Sequence, residues 1–287
     1  METHLRDSKI SNVDKNKDHY DDLYSHVSIE SIVAKVRNAE SFLDKAIKTD
    51  TSWHGLYQGD FRHQLKGKNI LELGCGDGLN ALIMAKLGGQ VTAIDISEQS
   101  KVIVDKVNKE CSLPVKAITG EFTNESFEEN SFDIVVGKAF LHHLTHEQEE
   151  LYLEKVAKLL KPTGEARFLE PAMNSRMIDT LRWLTPVPGR PSKLNRKAFA
   201  EWKENDPHPV RDNSTDHFAT VGHIFFDVVE TVMIGSLERF CRLIPTGKFN
   251  TAYRQWAHRV EPHLPRWFRS AAARSQLIIY RIPKKND

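Results

Sequence analysis

Three carboxylates and one glycine turn are the residues of this chain whose types and spacing could do chemistry together. Glu72-Leu73-Gly74-Cys75-Gly76-Asp77-Gly78 forms a tight glycine turn between an apolar run and a helical pattern. Glycines there let the backbone approach a ligand closely, and the start of the next helix offers unpaired N–H donors. The spacing is GxGxG, whereas a dinucleotide fingerprint needs GxGxxG and would place a glycine where Leu79 stands. Glu72, just before the turn, would repel a pyrophosphate but suits an ammonium group. Asp95 lies 17 residues beyond Gly78, where a carboxylate can accept both ribose hydroxyls of a nucleoside. Glu121 and Phe122 are placed to meet an adenine amine and ring edge. Together these residues describe a pocket for a nucleoside that carries positive charge.

Elements that could hold them follow from the hydrophobic pattern. Asn69–Leu73, Val91–Asp95, Val115–Ile118, Phe132–Val136 and Glu165–Glu170 read as buried strands. Helical patterns alternate with them: Leu79–Leu87, a second N-capped by Ser97, and a third from a Thr145/Gln148 capping box to Leu160. Lys161-Pro162-Thr163-Gly164 reads as the turn into the fifth strand. This alternation predicts an α/β fold, a doubly wound parallel sheet with helices on both faces. Ligands of such sheets bind beyond the carboxyl ends of the strands, where the acids fall. Upstream, Ile29, Ile32, Val33, Val36, Ala39, Leu43 and Ile47 predict one amphipathic helix from Ser28, followed by a Trp53–Gly59 loop. After Pro171, residues 172–222 carry five prolines and two tryptophans, an irregular insertion with short helices. Val228–Ile234 and Gln276–Ile282 predict a late antiparallel edge pair. The expected divisions are a disordered tail over 1–18, a helical lid over 19–66, the α/β core over 67–171, a covering insertion over 172–223, and the last two strands with a basic helical insertion over 224–287.

Composition narrows the function. The chain has 287 residues, 40 Lys+Arg against 39 Asp+Glu, a net charge of +1 and 40% hydrophobic residues. That balance excludes a globally polybasic nucleic-acid binder and an acidic disordered chain. No apolar run approaches the length of a membrane span, and the first twenty residues carry no secretory signal. Cys75, Cys111 and Cys241 are too scattered for a disulfide framework or a zinc site, so a reducing cytoplasm is expected. The charge is unevenly spread: residues 239–287 hold eleven basic and two acidic residues, interleaved with Tyr253, Trp256, Trp267 and Phe268. A solvated helical face explains such a run, and so does contact with an anionic ligand or a peripheral membrane surface.

The segment ILELGCGDGLNALIMAKLGGQVTAIDIS resembles the first two motifs of class I S-adenosylmethionine-dependent methyltransferases. GEFTNESFEENSFDIVVGKAFLHHL resembles that family's loop after strand three and its fourth strand, and LLKPTGEARFLEP its turn and fifth strand. The resemblance covers about residues 68–171. It implies a seven-stranded, mostly parallel Rossmann-like sheet with a reversed last strand, and S-adenosyl-L-methionine as the cofactor. By position it implies that Gly74, Gly76 and Gly78 line the methionine and ribose, with Glu72, Cys75 and Ile96 in the same cofactor-binding set. Asp95 would bind the ribose hydroxyls, Glu121 the adenine amine, the Phe122 N–H the ring, and the Gly137-Lys138 backbone the methionine amine. The chain departs from the family at two positions. Glu121 stands where Asp is more usual, and Lys138 where a small or neutral residue is usual, so Lys138 could pair with the methionine carboxylate or a substrate anion. Past Pro171, EPAMN, RWLTP, His208-Pro209 and FDVVE resemble a subgroup whose C-terminal insertions cover the site.

Methyl transfer is an in-line displacement by a lone pair, to which the protein adds alignment and, for a hydroxyl, a base. His143, following strand four, is the candidate base, with a packed histidine as its plain alternative. His142 is expected to be exposed and inert, and His208 and His217 to be solvated loop residues, with acceptor binding as their alternative. Glu170, the second catalytic candidate, is expected to face the pocket mouth, where it could orient an acceptor amine or support other site residues from behind. Tyr20, Tyr24, Trp53 and Tyr57 are expected to pack the lid over the sheet and could offer an aromatic face to a sulfonium. Cys75 reads as a small filler, and no metal ligands are expected. Gly137-Lys138-Ala139-Phe140 stands where a base-amine DNA methyltransferase carries its Pro-Pro motif, so no nucleic-acid partner is expected. The Trp- and Phe-rich insertions suit a small, partly apolar metabolite as acceptor, with oxygen favoured over nitrogen as the methylated atom. Two alternatives stay open: a lipid or phosphate-bearing acceptor drawn by the basic C-terminal segment, and a non-catalytic cofactor-binding partner subunit, against which the intact acidic triad argues.

Overall fold

The computed structural model describes residues 16–284 apart from 18, 188, 205 and 207. The tail expected over 1–18 therefore lies outside the described residues except for Asn16 and Lys17. Both of these are helical, and Lys17 pairs with Glu98 at 3.3 Å.

The N-terminal layer is made of α1 (residues 19–25), α2 (Ile29–Arg37), α3 (Ala39–Thr49), α4 (Thr51–Leu56) and the single turn α5 (Phe61–Gln64). The one amphipathic helix expected from Ser28 to Ile47 is two, because the chain bends at Asn38 (φ −112°, ψ 41°), whose side-chain amide donates back to the Ala34 carbonyl. The apolar stripe runs through the bend, and Val36 and Leu43 are both fully buried. The expected Trp53–Gly59 loop begins as a helix instead. Asp50 N-caps α4 by accepting from the Ser52 and Trp53 N–H groups.

Next come the αβ units: β1 (Asn69–Leu73), α6 (Leu79–Lys86), β2 (Gln90–Asp95), α7 (Glu98–Cys111), β3 (Lys116–Thr119), β4 (Phe132–Lys138), α8 (His146–Leu159) and β5 (Leu160–Pro171). Ser97 caps α7, and the Thr145/Gln148 capping box opens α8 as expected. β5 starts five residues earlier than expected. Leu160 already pairs with Phe132, and the Lys161–Gly164 segment is absorbed as an irregularity in the ladder. Gly164 permits this, since a Cβ there would lie 2.9 Å from the Asp133 carbonyl. The insertion carries α9 (Arg176–Leu184), α10 (Arg196–Glu204) and α11 (Thr215–Phe225), and the chain then runs through β6 (Phe226–Ile234), α12 (Lys248–Val260), α13 (Arg266–Ala272) and β7 (Ser275–Pro283).

The seven strands form one sheet in the order β3-β2-β1-β4-β5-β7-β6. β1 to β5 are parallel, and β7 is antiparallel to both β5 and β6. Strand order reverses between β1 and β4, which opens a crevice at their carboxyl ends. One apolar core lies between the sheet and α2–α7; the other, with Phe168, Phe218, Phe226 and Tyr280, lies under α8 and α11. Among the described residues no helix is long and apolar enough to cross a membrane.

The basic C-terminal segment is tied into this frame. Glu238, fully buried, accepts from Thr51 at the start of α4 (2.5 Å), from Arg254 on α12 (2.6 Å) and from Arg274 before β7 (2.5 Å). Burial works against its charge, but Arg274, Thr51 and Arg254 hold the carboxyl down, from 4.5 to about 2. A carboxyl depressed by folding contributes stability above its unfolded value and loses it as pH falls toward the folded one. Glu238→Gln should therefore weaken the fold at pH 7 by on the order of 3 kcal/mol. It should also flatten the loss of stability between pH 4.5 and about 2. Urea titrations across that range read both effects, and an unchanged acid limb would show that Glu238 is not ionised in the folded state.

Candidate active site

The glycine turn leads from β1 into α6 with Gly74, Gly76 and Gly78 at φ of 62°, 58° and 72°. Gly74 and Gly76 also allow close packing, since an added Cβ would lie 2.3 Å from the Phe140 ring and 2.9 Å from the Tyr24 hydroxyl. Asp95 ends β2 beside the turn. Its Oδ2 accepts from the Gly76 N–H (2.8 Å) and its Oδ1 from the Ser97 N–H (2.9 Å), which leaves lone pairs on both oxygens. Burial pushes its carboxyl up, against those donors. Glu72 is more deeply buried. Its Oε1 accepts from Asn80 (2.7 Å), which is itself held by the Tyr57 hydroxyl (2.9 Å), while Oε2 is sealed from water without a donor among the described residues. Burial raises the Glu72 carboxyl from 4.5 to about 8. Glu121, after β3, accepts from the Tyr152 hydroxyl on α8.

All three acids line one pocket of about 440 Å³. Gly74, Cys75, Gly76, Ile96, Phe122, Lys138 and His143 line it too. Three of the expected site residues do not. Gly78 packs behind the wall, where a Cβ would meet Val104 at 2.3 Å, and Gly137 lies against Phe168. The third is Glu170, which does not face the mouth. It is 1% exposed and accepts from the N–H groups of Phe140 (2.9 Å), Leu141 (2.7 Å) and His142 (3.3 Å), and bonds His142 Nδ1 at 2.6 Å. It is a positioning residue. It fixes the turn that follows Ala139, whose φ of 57° is a left-handed conformation unusual for a side-chain-bearing residue.

That turn aims two histidines at the pocket. His142, expected to be exposed, is instead held by Glu170 with 12% of its side chain exposed. His143 Nε2 lies 3.2 Å from the Tyr20 hydroxyl of α1. Burial first, then the neighbouring His142 and His208, push His143 well below the ordinary histidine value, so it is neutral at physiological pH. Burial raises the Tyr20 hydroxyl to about 12. Tyr24 stacks on Tyr20 with ring centroids 5.4 Å apart, closing the pocket from above. His208 arrives from the insertion, its ring 5.0 Å from His142 and 4.4 Å from His143. His217 lies outside the pocket, in a buried cluster with Glu149 and Arg211 that ties the insertion to α8; Arg211 also donates to the Leu141 and Leu144 carbonyls (2.7 and 2.8 Å). Trp53 sits under Lys138, whose ammonium is 4.4 Å from its ring centre. Cys75 is a buried thiol that burial pushes well up, in keeping with a filler.

Tyr152, Asn80 and Arg211 were not legible as site residues. Tyr152 and Asn80 read as parts of helix faces, and the partners that tie Arg211 to the turn after β4 and to α8 are 62 to 70 positions away in sequence.

Comparison with known proteins agrees with this geometry. Residues 70–164 match the family described as methyltransferase domain. The chain is 36% identical over 104 residues to a cypemycin N-terminal methyltransferase of a Streptomyces species, covering 36% of this chain and 41% of that one. It is 26% identical over 176 residues to the ubiquinone biosynthesis O-methyltransferase of Agrobacterium fabrum, covering 58% of this chain and 66% of that one. The match thus spans less than two thirds of either relative. Among solved structures, geranyl diphosphate C-methyltransferase from Streptomyces coelicolor A3(2), crystallised with Mg2+, geranyl diphosphate and S-adenosyl-L-homocysteine, superposes with a TM-score of 0.51. That superposition covers 78% of this chain and 77% of that one, and at 12% identity it is a likeness of fold. Residues 70–164, which carry the glycine turn and the acidic strand ends, are thus a methyltransferase domain by family match, set in a sheet whose fold is that of a solved methyltransferase.

Proposed function

We propose that the protein is an S-adenosylmethionine-dependent methyltransferase acting on a small, partly apolar metabolite, with oxygen the favoured acceptor atom. One observation carries the reading: Glu72, Asp95 and Glu121 end three neighbouring strands and line a single pocket that also holds the Tyr20–His143 pair. The pocket fits the cofactor. Asp95 keeps lone pairs for two ribose hydroxyls, the donorless Glu72 Oε2 suits the methionine ammonium, and Gly74 and Gly76 clear the backbone. When bound, S-adenosylmethionine supplies a methyl group activated on a sulfonium. Tyr20 and Tyr24 exclude water from above, and neutral His143 takes up the proton of a hydroxyl acceptor. Such a base contributes roughly 10²–10⁴-fold to a rate. A protonated histidine could not act in this way, and burial keeps His143 unprotonated. The three free cysteines among the described residues suit the proposed cytoplasmic setting. No nucleic-acid partner is part of this reading.

Three measurements test it. In calorimetric titrations Asp95→Ala should weaken S-adenosylhomocysteine binding by at least about tenfold, through loss of charge-assisted hydrogen bonds; an unchanged dissociation constant would remove Asp95 from the site. Glu72→Gln should bind the cofactor more weakly yet make the ligand-free protein more stable. A carboxyl raised by folding burdens the folded state as pH climbs from 4.5 past about 8, so the gain should be largest, on the order of 2 kcal/mol or more, at pH 8 and vanish near pH 4.5. Methyl-labelled cofactor incubated with a cell extract and followed by mass spectrometry identifies the acceptor. On that acceptor His143→Ala should lower turnover by about 10²–10⁴ with cofactor affinity retained, and undiminished turnover would make His143 a packing residue.

A further inference from the structure

A second and larger chamber, of about 1220 Å³, adjoins the cofactor pocket and shares His142 and His208 with it. Its walls come from the end of β5, from α9 and α10, and from the segment before α12. Its cations divide into two sets. Lys203 pairs with Asp206 (2.7 Å), Arg211 with Glu149, and Arg254 with Glu238 (2.6 Å). Arg182, Arg190 and Arg242 form no ion pair among the described residues. Asp179, three residues before Arg182 on α9, is the carboxylate that acts on Arg182, at longer range. Arg182 and Arg190 both lie over the Trp183 ring, 5.0 and 4.8 Å from its centre. Arg190 is braced by the Arg182 and Thr185 carbonyls (2.6 and 3.0 Å), while its Nη1 is sealed from water without an acceptor among the described residues. Burial first, then the charges of Arg182 and Arg242, push Arg190 below the ordinary guanidinium value. Like charges gathered in this way, one with an unused buried donor, are stabilised by an anion between them. Trp183, Trp202, Pro209 and Ile244 give the same chamber an apolar surface.

We propose that this chamber is the acceptor subsite, and that the acceptor is a small organic anion, a carboxylate or phosphate monoester on an apolar or aromatic body. The anionic group lies among Arg182, Arg190 and Arg242, and the nucleophilic atom points past His142 and His208 toward the cofactor pocket. This rests on the methyltransferase reading above and adds to it the chemical class of the substrate. It also gives Arg190 a role in selecting the acceptor: a neutral molecule of the same shape leaves its Nη1 without a partner.

The full chain, saturated with S-adenosylhomocysteine, is titrated calorimetrically with 4-hydroxybenzoate, phenyl phosphate and the neutral 4-hydroxybenzamide. At least one anion should bind about tenfold tighter than the amide, as expected for charge-assisted hydrogen bonds to guanidinium. Which anion binds tighter distinguishes a carboxylate from a phosphate acceptor. Arg190→Gln should abolish that preference while affinity for S-adenosylhomocysteine is retained. Arg242→Gln, whose exposed native side chain makes no hydrogen bond or ion pair among the described residues, should reduce it by about threefold or more even if Arg190→Gln fails to fold. Equal binding of anions and amide, binding of none of them, or a preference that survives both substitutions would overturn the proposal and leave the cofactor site standing. Failure to bind S-adenosylhomocysteine would overturn the methyltransferase reading itself.

Discussion

A carboxyl group sealed from water needs donors before it can carry charge, and the carboxyl edge of this sheet seals three such groups. Glu72, Asp95 and Glu170 end β1, β2 and β5 with 1%, 9% and 1% of their surface exposed. A parallel sheet sends every such strand end to one edge, so their side chains crowd the crevice where strand order reverses. What separates their roles is the supply of donors. Glu170 has three backbone N–H groups and a histidine, and is spent on structure. Asp95 has two backbone N–H groups and keeps lone pairs for a ligand. Glu72 has one side-chain amide and an oxygen with nothing, which makes it the strongest attractor for a cation brought from outside.

Burial alone does not decide the outcome, as Glu72 and Glu238 show. Both are sealed, and desolvation opposes charge in both. Glu238 sits between Arg254 and Arg274 and stays ionised to about 2, so its charge holds the N-terminal helices to the C-terminal ones. Glu72 has no cation in contact among the described residues and rises to about 8. The first acid stabilises the fold, and the second burdens it. On the proposed reading, the site carries this penalty until a cationic ligand arrives.

Where strands fall and where their ends lie was legible in the sequence, because both depend on local pattern. Apolar runs bounded by glycine and polar residues placed β1, β2 and β4 within two residues, and the GxGxG turn with its flanking acids located the pocket. Three features were not legible, for three reasons. The bend at Asn38 breaks no hydrophobic period, so nothing in the stripe announces it. The role of Glu170 depends on three N–H groups exposed by the turn after β4, which only the assembled β4–β5 ladder brings within reach. His208 and Arg190 belong to a stretch without periodicity, where position is set by packing on the finished sheet rather than by any neighbour in sequence.

The sheet and the segments around it therefore divide the work. On the proposed reading, strand ends and the glycine turn form the cofactor pocket. The groups that would meet an acceptor come from outside the sheet, Tyr20 from α1 and His208 and Arg190 from the insertion, and the Glu170-braced turn carrying His142 and His143 lies between the two. Exchange of the insertion could alter the acceptor without touching the acids that hold the cofactor, as expected when specificity is carried by loops mounted on a rigid frame. The same separation explains why a family-level match over residues 70–164 accounts for the cofactor pocket and stops short of the chamber beside it. Of the chamber-lining residues, His142 alone falls within that match, and it is one of the two that face both compartments.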